Sequence, residues 1–398
     1  MKCPYRTIGD VTETTLPIFE VGAVLLLATA AGWLSRRVGV PAVVGYLMVG
    51  IALSPFTPGY VADHKQLILF ADLGVVLLLF EVGIEVDLGR LRKEQATLLW
   101  AAPLQTGVTF AISAGVFVLA GLDLSASALL GLAVALSSSV VIVNITRSRR
   151  RTTDPTTDHV LVGWAVLQDV TGVSIAIILL TLMGSGRPPL ESLVGLVAFG
   201  ALALGAARLL PLALVQLRSE HDLFLLVSVA AGLALAGAGA VLAGIPIALA
   251  AFIAGLAITD SPDAAEARRR LLPFRDVFAV FFFVSIGTLV DPAAVGRGLP
   301  WLALTLGLVV VAKSALAYGL VRFTSLDGSP LHVAVGLGQI GEFSFVLASL
   351  ALARGSISPE VFASILAAVA ISICASTILV RLVPRPASSP GATLDLPS

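Results

Sequence analysis

Apolar runs of bilayer length recur from one end of this sequence to the other. A helix needs roughly 20 apolar residues to cross the hydrocarbon of a membrane. Candidates fall at about 16–35, 40–56, 66–86, 96–121, 126–146, 158–183, 190–217, 222–243, 245–259, 273–290, 299–323, 329–352 and 358–384. These are thirteen spans, and no polar stretch between them could hold a soluble domain. Charged residues make up 13% of the 398 and hydrophobic residues 57%, about half the charge of a soluble domain. Soluble globular, disordered and nucleic-acid-binding classes are therefore excluded. The two cysteines, Cys3 and Cys374, exclude a disulfide framework or a Cys-rich metal site. The expected fold is an all-α polytopic membrane protein.

Orientation follows from the basic residues, which collect on the cytoplasmic side. With the N-terminus outside, the inner loops hold Arg36, Arg37, Arg90, Arg92, Lys93, Arg147, Arg149 to Arg151, Arg218, Arg268 to Arg270, Arg275, Arg322, Arg381 and Arg385. The outer segments hold only Lys2, Arg6, Lys65, Arg187, Arg297 and Arg354. That asymmetry predicts N-out and C-in. Residues 1–15 are a short extracytoplasmic segment, 16–384 the membrane domain, and 385–398 a Pro/Ser-rich disordered cytoplasmic tail. The first span is not a convincing signal peptide, because Arg36 and Arg37 follow it and no small-residue cleavage site stands out.

The chain matches itself at an offset near 205 residues. Gly39-Val40-Pro41 with Gly50 matches Gly244-Ile245-Pro246 with Gly255, and Gly83-x-x-Val86-Asp87 matches Gly287-x-x-Val290-Asp291. Two six-helix repeats, about 16–183 and 222–384, are predicted around a linker helix at 190–217. Seven spans separate equivalent positions, so the second copy is inverted. Inverted repeats characterise secondary transporters, whose sites lie near the midplane where discontinuous helices meet. The offset sets Ser137 against Glu342. Both lie in polar breaks, Ser137-Ser138-Ser139 and Gly336-x-Gly338-Gln339-x-Gly341-Glu342, which predict two crossed, partly unwound helices.

Ionisable groups inside spans are costly and functional by default. Asp169 follows Asp158 by eleven residues, about 16 Å along a helix, near mid-bilayer. Gln168 beside it can offer a carbonyl oxygen to an ion. Lys313 is mid-span, and a buried lysine needs a carboxylate or loses its proton, so Asp169 or Glu342 is its expected partner. Glu342 itself could ligate an ion, accept Lys313 or cap backbone. Glu20, Asp72 and Glu81 read as pore, interface or water-facing groups; Glu85, Asp87 and His159 read as interfacial.

Two motifs mislead. Gly336-x-Gly338-x-x-Gly341, with Glu360 about twenty residues on, matches a dinucleotide fingerprint, but the pattern requires a soluble βαβ unit. Close helix crossing explains these glycines better. Ser137, His159 and Asp169 suggest a hydrolase triad, yet His159 and Asp169 lie about 15 Å apart on one helix. The four histidines show no metal-ligand spacing. No enzyme and no cofactor is expected.

Several segments resemble the cation:proton antiporter-2 superfamily, and in particular the membrane domain of Kef-type potassium/proton antiporters. They are Leu167-Gln168-Asp169, Ala135-Leu136-Ser137-Ser138, Pro273-Phe274-Arg275-Asp276 with Phe282-Phe283-Val284-Ser285-Ile286-Gly287, Gly338-Gln339-Ile340-Gly341-Glu342-Phe343, and the run from Leu78 to Asp87. The likeness spans about residues 16–384. It implies a thirteen-helix inverted-repeat fold, a core domain carrying the crossed helices, a dimerisation domain, a homodimer and an elevator-like alternation. It implies that Asp169 binds the cation or a proton and that Lys313 is the family's buried base. Electrogenic sodium/proton relatives carry an Asp-Asp pair where this chain has Gln168-Asp169, which weakens a two-proton stoichiometry. Kef systems carry a C-terminal regulatory nucleotide-binding domain with no counterpart after span 13 here, so nucleotide regulation is not expected within these residues and a separate regulatory subunit is a candidate partner.

The expected function is exchange of Na+ or K+ for protons by competition at one carboxylate, in a bacterial plasma membrane. The competing readings are a cation channel, a sodium-coupled organic solute carrier of similar fold, and a non-transporting sensor or scaffold.

Overall fold

A computed structural model describes residues 8–57, 64–85, 97–147, 152–183, 189–245, 247–259, 261 and 263–384. Among these residues the regular structure is helical throughout. In a bilayer this is forced, because backbone groups must pair within their own segment. The helices are α1 (Ile8–Arg37), α2 (Ala42–Ala52), α3 (His64–Glu85), α4 (Leu98–Leu119), α5 (Leu124–Ala135), α6 (Ser139–Arg147), α7 (Pro155–Leu182), α8 (Pro189–Gln216) and α9 (His221–Ala238). They continue with α10 (Ile247–Leu256), α11 (Ala264–Thr288), α12 (Pro292–Arg297), α13 (Leu299–Leu308), α14 (Ala315–Phe323), α15 (Pro330–Leu337), α16 (Phe343–Ala353) and α17 (Pro359–Leu382). Starts are set by local chemistry: Asp123 Oδ1 accepts from Ala126 N (3.0 Å) at α5, and Ser358, followed by Pro359, accepts from Val361 N (3.4 Å) at α17.

Every expected span falls on helix. Among the described residues, eight helical segments are long and apolar enough to cross a membrane, and α2, α5 and α16 are shorter apolar helices. Three departures stand out. Helix α11 starts at Ala264, well before the apolar run, because Glu266 pairs with Arg269 (2.7 Å) and Arg270 (2.6 Å) one turn on. A hydropathy pattern is blind to such a charged extension. Helix α1 likewise starts at Ile8, ahead of its apolar part. Finally, Gly239–Ala243 and Val309–Ser314 are π-helical turns, local widenings that carry no composition signal.

The 205-residue correspondence has a spatial counterpart. Gly39 and Gly244 both have positive φ (88° and 66°) just ahead of α2 and α10, a conformation glycine adopts without a Cβ penalty. Helix α2 crosses α11, and α3 crosses α10. A methyl on Gly50 would lie 2.7 Å from Gly287 Cα, and one on Gly83 would lie 2.8 Å from Gly255 Cα. Ser54 Oγ donates to Thr288 O (2.9 Å), and Thr259 Oγ1 donates to Gly83 O (2.9 Å). Each contact at one crossing is the other displaced by 204 or 205 positions with the partners exchanged. Pro246, Asp87 and the side chain of Glu85 lie outside the described residues.

The remaining embedded acids separate. Glu81 on α3 is 1% exposed and takes Arg268 Nε and Arg275 Nη1 (the latter at 2.9 Å) from α11. It is an internal clamp between two helices, not a pore or water-facing group. Asp72 is exposed and Glu20 half-buried. His159 is exposed at the start of α7, in keeping with an interfacial position.

Candidate ion-binding site

The two polar breaks become two interrupted helices. Helices α5 and α6 are parted at 136–138, where Leu136 is extended (φ −86°, ψ 140°), and α15 and α16 are parted at 338–342. The breaks meet. Gly341 N donates to Leu136 O (2.9 Å), and Ser138 N donates to Gln339 Oε1 (3.0 Å). Gln339 Nε2 returns a bond to Ser138 O (3.2 Å), and Ser137 Oγ donates to Leu337 O (3.0 Å). Each break thus supplies partners for backbone groups that the other leaves open. A methyl on Gly341 would lie 2.7 Å from Ser137 C and O, and one on Gly338 would lie 2.5 Å from Ser314 Oγ. These glycines serve close crossing, as expected from their place in a span. The acid of the false fingerprint, Glu360, is instead paired with Arg297 (3.2 Å).

Lys313 is fully buried in the π-helical turn before α14. Its partner is not the expected Asp169 or Glu342. Nζ donates to Val134 O (2.9 Å), Leu136 O (2.6 Å) and Gln339 O (2.7 Å), so all three ammonium protons are taken by main-chain carbonyls. The reason is electrostatic. The C-terminal ends of α5 and α15 both point here, and each carries about half a negative charge. One ammonium answers both ends.

Glu342 is 5% exposed and stands at the start of α16. Its Oε2 lies 3.4 Å from Ser138 Oγ, which also accepts from Val141 N (3.3 Å) in the first turn of α6. The carboxylate is thus at the positive ends of α6 and α16, as the lysine is at the negative ends of α5 and α15.

Asp169 is 3% exposed on α7. It lines a cavity with Val82 of α3, Ser139, Ile142 and Val143 of α6, and Val162, Ala165 and Val166 of α7. These residues of α6 and α7 precede Asp169 toward the α6–α7 loop, so the cavity lies on that side of the carboxylate. Ser139 is half-buried, whereas Ser137 and Ser138 are buried in the crossing. Gln168 is fully buried, and its Nε2 donates to Gln105 Oε1 (2.6 Å) and Ala135 O (3.4 Å). The structure therefore brings Ser137, Ser138, Lys313, Gln339, Gly341 and Glu342 into one bonded cluster, with Gly338 packed beside it against Ser314 and Gln168 at its margin through Ala135. Ser139 and Asp169 share the adjoining cavity.

Sequence reasoning missed Gln105, Thr109 and Ser372. Ser372 Oγ accepts from Ile340 N (3.1 Å), bracing the second break. Gln105 and Thr109 are polar and one turn apart inside an apolar span, a signal as visible as Gln168 but without a charge to draw notice.

The family model for the transmembrane sodium/hydrogen exchanger matches residues 23–384. The chain belongs to this family. It is 31% identical over 376 residues to "Putative cation/proton antiporter YbaL" of Escherichia coli (strain K12), covering 91% of this chain and 67% of that one. Its fold is similar to that of the sodium proton antiporter MjNhaP1 from Methanocaldococcus jannaschii at pH 8, with a TM-score of 0.71, 18% identity, and 93% of this chain and 99% of that chain covered. An electron-microscopy structure of MjNhaP1 matches with a TM-score of 0.64 and 17% identity, over 93% and 96% of the two chains. The family drawn from the sequence motifs is borne out, and the exchanger family is one of transporters and not of enzymes.

Proposed function

We propose that this chain exchanges a monovalent cation, Na+ or K+, for protons by alternating access, with Asp169 as the carboxylate for which the two compete. The observation that carries this reading is the arrangement around Lys313. Its protons are held by three carbonyls, so the one buried base of the crossing does not lock the nearby carboxylates. Asp169 instead lines a cavity in the middle of a long apolar helix, where an ionisable group points to transport. Membership of the exchanger family and likeness to a named cation/proton antiporter support the same reading.

On the orientation read from basic residues, the α6–α7 loop is cytoplasmic, and the cavity beside Asp169 then belongs to an inward-facing state. The reading extends to thirteen spans in two inverted repeats, N-terminus outside, in a homodimer of a bacterial plasma membrane. The test is proton movement in proteoliposomes driven by Na+, K+ or Li+. Asp169→Asn is expected to abolish it while leaving the protein folded; full exchange by this variant would sink the proposal.

A further inference from the structure

A ladder of buried amides and hydroxyls runs from Asp169's helix to the lysine turn. Trp164 Nε1 and Gln168 Nε2, one turn apart on α7, both donate to Gln105 Oε1 on α4 (3.3 and 2.6 Å). Gln105 Nε2 donates to Thr109 Oγ1 (3.1 Å), and Thr109 Oγ1 donates to Ala312 O (3.1 Å), next to Lys313. Trp164, Gln105, Thr109 and Gln168 are all fully buried.

Both ends of this ladder have fixed roles. An indole nitrogen only donates, and a main-chain carbonyl only accepts. Gln105 must therefore turn its oxygen toward Trp164 and its nitrogen toward Thr109. With that oxygen in place, Gln168 can approach only with its own nitrogen. Neither amide can flip without breaking bonds that have no substitute in an apolar span. Gln168 Oε1 is thereby turned away from the ladder, and it is a buried oxygen with no hydrogen-bond partner among the described residues. Such an acceptor is costly unless an ion or water meets it.

We infer that Gln105 is a positioning residue. It holds Gln168 so that its carbonyl oxygen is available as a neutral ligand to the monovalent cation that Asp169 binds. The inference rests on Asp169 being the exchange site. It assigns cation affinity to a residue of α4 that carries no charge and does not itself touch the ion. Supporting partners of this kind are worth about 10- to 100-fold in affinity at metal sites.

The test uses the full chain in proteoliposomes, with initial rates of proton movement measured against Na+ and K+ concentration. Gln105→Leu is expected to raise the apparent KM for the cation about tenfold with the maximum rate kept. Gln168→Leu should do the same, and the double variant should be no worse than either, since both remove one oriented oxygen. Thr109→Val, which removes only the anchor of Gln105, should raise KM by a smaller factor and serves if Gln105→Leu does not fold. A lowered maximum rate at unchanged KM, or multiplying effects in the double variant, would overturn the inference and leave Gln105 a packing residue. Asp169→Asn is run alongside. Exchange by that variant removes the site reading itself, whereas an inactive Asp169→Asn with a flat Gln105→Leu and Thr109→Val removes only the positioning role.

Discussion

Lys313 shows how a single residue can hold an unwound crossing together. Removing its ammonium leaves Val134 O and Gln339 O short of a donor, while Leu136 O keeps Gly341 N, and each unpaired group costs about 1–3 kcal/mol. Lys313→Met is therefore expected to destabilise the protein by about 3 kcal/mol, read as a lower unfolding temperature in detergent, and by more than Asp169→Asn does. The identities of Asp169, Lys313 and Glu342 were legible in the sequence, because charge inside an apolar span stands out. The pairing of Lys313 was not, since its partners are carbonyls, which every residue has. A second residue acts outside the spans. Burial would push the Asp154 carboxyl up, but hydrogen bonds from Thr157 and neighbouring backbone amides outweigh it and hold the pKa below its ordinary value. A depressed carboxyl stabilises the fold above its unfolded pKa and loses that effect as pH falls through its folded one. Asp154→Asn should thus lower thermal stability at neutral pH. The difference from the parent should shrink below about pH 4, as a pH series of unfolding temperatures will show.

Among elements, the two interrupted helices set the tightest steric demands. Gly341→Ala would drive a methyl against Ser137 C and O, and overpacking of this kind costs about 1–3 kcal/mol. Gly307→Ala on α13 meets nothing within 4 Å and should be neutral or stabilising by up to about 1 kcal/mol, the helix-propensity difference. Unfolding temperatures of the two variants in one detergent make the comparison. The breaks were readable as polar runs in apolar segments. The π-helical turns were not, because Val309–Ser314 is as apolar as its neighbours apart from Lys313 and Ser314. The start of α11 was misplaced for the opposite reason: its first turns are charged, and i,i+4 pairing rather than hydropathy keeps them helical.

For the molecule as a whole, the 205-residue correspondence ties its two halves at α2·α11 and α3·α10. Gly50→Ala and Gly255→Ala press on matching backbone from opposite halves, so they should lower the unfolding temperature by similar amounts; a large effect at one site and none at the other would deny the equivalence. The buried clamp of Glu81 with Arg268 and Arg275 has a different character. Glu81→Gln removes the buried carboxylate that Arg268 and Arg275 share, while Arg275 keeps Asp276, and the loss should cost up to about 3 kcal/mol, measurable by the same assay. Landmarks of this correspondence were legible because glycine and proline at fixed spacing survive in a sequence; the hydrogen bonds of Ser54 and Thr259 that match them were hidden in ordinary polar residues. Lys313 breaks the correspondence. It grips Val134 and Gln339, which are themselves 205 apart, while its own counterpart is Val108. Perfectly matched halves would give an inward and an outward opening of equal free energy, with neither preferred at rest. On the alternating-access reading proposed above, a cation supplied by one half alone helps to make the two openings unequal at rest.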